Sequence, residues 1–141
     1  MAPSIKIQID RGQPLPNIKQ YSLNLETLAG IKPITEEYKT QDLIVPYTSL
    51  CNTPILLTKK PHRGEWRFVQ DLRAINNIVI NHHPVALYPH TLLMAIPTQS
   101  KLFTITDLCS TFFSISVDCE SQILFAFMWE GQYTWTVMPQ V

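Results

Sequence analysis

Eleven prolines stand against only four glycines in 141 residues, and this balance narrows the possible folds most. Proline fixes φ, lacks an amide donor and is disfavoured inside helices and central strands. A chain punctuated in this way is built from extended segments and fixed turns, not from a bundle of long helices. Hydrophobic residues make up 45% of the chain, which excludes a disordered tail and allows one domain with a real core. Charged residues make up only 16%, few for a small soluble surface.

Residues 1–22 contain QPLPNIKQYSL and read as an extended N-terminal arm laid over the rest. Leu25, Leu28, Ile31, Ile34 and Tyr38 recur at helical spacing over 24–43, with Asn24 able to cap the start. Pro33 is expected to kink that helix or split it. IVPYTSLCNTPILLTKK, 44–60, is β-rich, and 54–60 with 65–71 predict a hairpin joined across PHRG, with a basic tip. DLRAINNIVI continues as a short irregular or helical piece and then a strand. A short helix is expected around 90–95, opened by Pro89 and closed before Pro97. LFTITDL is expected as a strand, and CSTFFSISV as a helical turn running back into extended chain. ILFAFMW, 123–129, is expected as a strong strand, with EGQY turning into TWTVM. Short helices with mostly hairpin-connected strands make the fold class α+β. The sequence stops at MPQV with no helix to cover the second sheet face, which reads as a cut rather than a domain boundary.

Charge is uneven although the formal net charge is zero. Over 59–73, Lys59, Lys60, Arg63, Arg67 and Arg73 face only Glu65 and Asp71, a net of +3. Over 74–141, Lys101 faces Asp107, Asp118, Glu120 and Glu130, a net of −3. A basic cluster beside an acidic, apolar segment hints at an anionic partner plus a cation, but on charge alone an ordinary solvated hairpin is the preferred reading. Cys51, Cys109 and Cys119 form no CxxC pair, which fits a reducing, cytoplasmic setting and argues against a zinc site. His62, His82, His83 and His90 lack metal-ligand spacing and read as structural or surface residues. No apolar run reaches membrane-spanning length, and the start lacks a signal-peptide pattern. Asp107 is the one acid in FTITDLCSTFFSI, where a strand should be most buried. A lone buried carboxylate is costly, so Asp107 either caps the following turn or holds something that needs negative charge.

Nine phrases now line up: IKQYSL, GIKP, LIVPYTS, CNTPILLTKK, EWRFVQDLRAINN, HPVALYP, FTITDLCSTFFSI, LFAFMW and TWTVMPQ. In this order and near this spacing they resemble the N-terminal part of a retroviral reverse transcriptase, of gammaretroviral and related endogenous type, over residues 13–140. The resemblance implies a right-handed polymerase fold. Residues 23–82 would be fingers, and 83–141 the first half of the palm, ending before the Y-x-D-D motif. It implies that Asp107 is the first catalytic aspartate and, with the backbone carbonyl of Leu108, a ligand of Mg²⁺, with Mn²⁺ a possible substitute. Hard cations of this kind take oxygen ligands, and two of them can activate a 3′-hydroxyl and stabilise leaving pyrophosphate. Lys60 and Arg67 would grip the triphosphate of an incoming dNTP. Phe112 would be the steric gate that excludes a 2′-hydroxyl, and Gln140 would touch nucleotide and template. Asp71 and Arg73 would brace the hairpin or contact the template. The implied partners are an RNA or DNA template-primer, dNTP and the remainder of the polymerase polypeptide, in the cytoplasm or, for a competent virus, in the virion.

Each residue also has a plain structural role available. Asp107 could be a helix cap, Lys60 and Arg67 solvated charges, and Phe112 and Phe113 core, with Phe113 the one expected inside. Trp129 and Trp135 read as packing residues. The pattern also breaks. No Y-x-D-D occurs, Val141 replaces the glycine usual after PQ, and Cys109 and Ser110 stand where a Lys and an acid are common. One carboxylate cannot hold two Mg²⁺ ions, so the chain alone is expected not to polymerise DNA. Two other expectations are a non-catalytic nucleic-acid-binding remnant and an inert translated pseudogene product.

Overall fold

The computed structural model describes residues 3–61, 64–83 and 86–140. The expected helix forms as α1, Leu25–Thr40, and the Asn24 carboxamide oxygen accepts the Thr27 amide at 2.7 Å. Pro33 lies inside α1 and does not split it. Its missing donor removes one rung of the ladder. Burial of Gly30, Ile31 and Thr35 against the neighbouring strands outweighs that loss.

Among the described residues five strands follow, β1 (Ile44–Pro46), β2 (Ile55–Lys59), β3 (Trp66–Gln70), β4 (Phe127–Met128) and β5 (Gln132–Trp135). The expected hairpin is β2 paired antiparallel with β3, Ile55 opposite Gln70 and Lys59 opposite Trp66. The second sheet has the order β1-β5-β4, all antiparallel, with Ile44 opposite Trp135 and Phe127 opposite Tyr133. Short helices α2 (Arg73–Asn76) and α3 (Pro89–Met94) sit near the expected positions. Gly30 lets α1 approach β3 closely, since a Cβ there would lie 2.6 Å from Trp66 Nε1.

Trp135 is the centre of the core. It stacks on Phe113 with centroids 5.6 Å apart, and Tyr38, Phe68 and Phe127 meet it at tilted or edge-on angles. Trp129 is buried in the same cluster, and Phe113 packs against it, as expected for all three rings. This core joins residues of 31–75 to residues of 117–135, so packing crosses the expected 82/83 boundary.

The N-terminal arm is extended and pinned along its length. Ile5 exchanges backbone hydrogen bonds with Ser116 and Asp118, Gln8 and Asp10 bond Ile80 and Ile78, and Pro16 and Ile18 bond Asn52. Ile7 and Ile9 pack on the core.

Three expected strands are overturned, and the first, expected after DLRAINN, is reduced to an isolated bridge between Val79 and Ile9. Residues 102–108 form no strand, and 101–112 are exposed throughout. A strand needs a ladder partner, and among the described residues none pairs with this segment. Its apolar side chains face solvent, Leu102 at 93% and Ile105 at 96% exposure. The 123–129 run divides into a 3-10 turn, Gln122–Phe125, and the two-residue β4. Leu124, Phe125, Ala126 and Phe127 are all buried, and a continuous apolar run does not tell a buried turn from a buried strand.

Candidate functional site

A cleft of about 760 Å³ opens between α1, the β2-β3 hairpin and the turn at 109–113. Glu37 enters from α1 and Gln41 from its C-terminal cap, Lys60 and Arg67 from the hairpin, Cys109 and Ser110 from the turn, and Gln140 from the far end of the sequence. Tyr38, Phe68 and Phe113 give it an aromatic wall continuous with the core.

Strand alternation sorts the adjacent lysines. Lys59 bonds Glu26 at 2.5 Å and lies 5.0 Å above the Trp66 ring. Lys60 is half-buried, turns toward the cleft and bonds the Glu65 carboxylate at 2.8 Å. Arg67 is exposed and makes no ion pair among the described residues. Arg63 and His62 lie outside the described residues, as does Val141. His82 Nε2 meets Gln8 Oε1 at 2.9 Å, a structural contact.

Asp71 and Arg73 form a two-point pair outside the cleft lining, Nε to Oδ1 at 2.9 Å and Nη2 to Oδ2 at 2.6 Å. The guanidinium holds the Asp71 carboxyl below the usual carboxylate range. The Asp71 amide also donates to Pro54 at 2.9 Å, which ties the pair to the chain entering β2.

Asp107 is exposed rather than buried, so no desolvation cost attaches to it. It does not cap the following 3-10 turn, Thr111–Ser114. Ser110 holds the cap position in the left-handed region, φ 53°. The Leu108 carbonyl accepts the Thr111 hydroxyl at 2.7 Å. Phe112 is half exposed and outside the cleft lining, while Phe113 points inward. The structure therefore brings Lys60, Arg67 and Gln140 together, and leaves Asp107, Leu108 and Phe112 outside the cleft lining.

Mg²⁺ takes near-octahedral oxygen coordination. Among the described residues no three His, Cys, Asp or Glu side chains group together, and the Leu108 carbonyl is already engaged. These residues do not by themselves fit a resident metal ion. The sequence reading missed Glu37, Gln41 and the buried Gln70. The i,i+4 spacing puts Glu37 and Gln41 on one helix face, and Gln41 Nε2 bonds Glu37 Oε1 at 3.2 Å. Nothing in the sequence showed that this face meets the hairpin.

Comparison with known proteins places this geometry. The family model "Reverse transcriptase (RNA-dependent DNA polymerase)" matches residues 57–140. The chain is 43% identical over 99% of its length to the Gag-Pol polyprotein of walleye dermal sarcoma virus. It is 40% identical over 88% of its length to that of feline leukemia virus. It spans only 8% of either polyprotein. Among solved structures, it is similar to a foamy viral protease-reverse transcriptase in complex with dsDNA, with TM-score 0.78 and 28% identity. That match covers 99% of this chain and 29% of the other. A second foamy viral protease-reverse transcriptase, described as "dRH" and also in complex with dsDNA, matches with TM-score 0.71 and 29% identity, over 99% of this chain and 23% of the other. With more than half its length inside the family model, and its helix, hairpin and cleft on a polymerase framework, the chain belongs to the reverse transcriptase family as a fragment of that domain.

Proposed function

We propose that this chain is the fingers and the first part of the palm of an RNA-directed DNA polymerase from an endogenous retrovirus. Lys60 and Arg67 bind the triphosphate of an incoming dNTP. The observation that carries this reading is the convergence of Lys60, Arg67 and Gln140 on one cleft beside the 109–113 turn. Lys60 supplies a point charge and Arg67 a forked donor for phosphate oxygens. Gln140 sits at the mouth for nucleotide and template, Phe112 limits the sugar, and the Asp71–Arg73 pair stiffens the base of the hairpin.

Template-primer binding draws support from the relatives described in complex with dsDNA. Enzymes of this family use divalent metal ions, and Mg²⁺, with Mn²⁺ as substitute, is the metal we assign to the complete enzyme. Asp107 alone does not fit that ion, so catalysis is assigned to the larger polypeptide. The exposed apolar segment that includes Leu102, Phe103, Ile105 and Leu108 is its seat.

The test is titration of the 141-residue chain with a deoxynucleoside triphosphate, without metal. Lys60→Ala and Arg67→Ala should each weaken binding about threefold or more, the scale of a lost charge-assisted contact. Equal affinity in both variants overturns the assignment. Primer extension by the same chain should stay at background, and extension above background would show that this chain suffices for catalysis.

A further inference from the structure

Lys60 is not an idle cation in the cleft. Its amide donates to the Glu65 carbonyl at 2.8 Å, closing the hairpin, and its Nζ meets the Glu65 carboxylate at 2.8 Å. The backbone bond fixes the two residues opposite each other, so the carboxylate is held beside Lys60 by the register of the β2-β3 hairpin. Glu65 itself is outside the cleft lining and faces the neighbouring groove with Glu26 and Trp66. Among the described residues Arg67, two residues on, carries no such acid. The two cations of the cleft are therefore unequal: Arg67 is open to an anion, while Lys60 already holds one.

We propose that Glu65 is an internal competitor for Lys60, a carboxylate that an incoming polyphosphate displaces, and so a residue that sets the affinity of the cleft for nucleotide. This rests on the assignment of Lys60 and Arg67 to triphosphate binding. Both side chains are substantially exposed, Lys60 at 41% and Glu65 at 53%. An exposed pair of this kind contributes little to stability, so exchange of the carboxylate for phosphate meets a low barrier. A polyphosphate carries more charge than one carboxylate and wins the exchange. The carboxylate still costs affinity, by occupying the ammonium and by repelling the ligand.

The experiment is titration of the full 141-residue chain with inorganic tripolyphosphate at low and high salt. The proteins are wild type, Glu65→Gln, Lys60→Ala, Arg67→Ala and the Glu65→Gln/Lys60→Ala pair. Glu65→Gln keeps size and hydrogen bonding while removing charge, and its thermal transition should match wild type. It is expected to bind about two- to fivefold more tightly at low salt, the range of an exposed ion pair. The gain should shrink at high salt through screening and vanish on the Lys60→Ala background, which marks coupling between the two residues. If Lys60→Ala weakens binding but Glu65→Gln binds equally or less tightly, Glu65 is no competitor and this proposal falls while the cleft assignment stands. If neither Lys60→Ala nor Arg67→Ala changes binding, both fall together.

Discussion

Gln70 is a wholly buried polar side chain that joins both sheets. Its Nε2 donates to Thr53 Oγ1 at 2.7 Å and to the Phe125 carbonyl at 3.1 Å, and its Oε1 accepts Trp135 Nε1 at 2.9 Å. Gln70→Leu would leave several buried groups unpartnered and should cost about 3 kcal/mol in urea unfolding. A cost under about 1 kcal/mol would mean that water replaces the amide. Cys51 is also buried, donates weakly to the Leu124 carbonyl at 3.6 Å, and burial pushes its thiol up to about 11. The sign follows from linkage: the unfolded chain loses the thiol proton near pH 9 while the folded chain keeps it. The stability from the neutral thiol is complete below about pH 9 and is lost as pH rises through about 11. Stability measured from pH 8 to 11 should fall less steeply in Cys51→Ala, although that variant is weaker at neutral pH through its cavity. At the acid end the sign reverses for Asp71, whose carboxyl is held low by Arg73. Its contribution is present above about pH 4 and fades as pH falls through the depressed value. Asp71→Asn should flatten that part of the acid unfolding profile.

Among elements, α1 and the N-terminal arm behave differently from what composition suggests. The helix keeps Pro33 because its buried side packs on β1, β2 and β3. Gly30→Ala would force a methyl into the Trp66 indole and should destabilise by about 1–3 kcal/mol, seen as a lower thermal midpoint. Asn24 was recognisable as a cap from the sequence because its donor lies three residues away. The arm was legible as extended, but its partners were not. Its bonds reach Asn52, Ile78, Ile80 and Ser116, positions that only the folded chain brings alongside.

At the scale of the whole molecule, the contrast lies between a well-joined core and a segment outside it. Leu87, Tyr88, Leu93, Met94, Leu102, Phe103, Ile105 and Leu108 are each more than half exposed. An apolar surface of this extent is sticky. Replacing Leu102, Ile105 and Leu108 together by Thr should reduce aggregation, read by light scattering, and leave the thermal midpoint within about 1 °C, since none contributes to the core. A large loss of thermal stability would show that the segment packs on the core. Among the described residues the fold around this segment has two small sheets and one long helix, so stability rests on the shared aromatic centre rather than on extended strand pairing.

The sequence by itself determined the α+β class, the capped helix, the basic hairpin, the core tryptophans and the family. Those signals are local, periodic or carried by ordered phrases along one chain. Tertiary structure alone decided that Lys60, Arg67 and Gln140 share a cleft with Glu37 and Gln41, because that depends on which helix face meets the hairpin. It also decided that 102–108 is not a strand among the described residues. Alternating apolar residues favour extended chain, but a strand exists only where a partner satisfies its backbone, and no run of residues announces whether that partner is present.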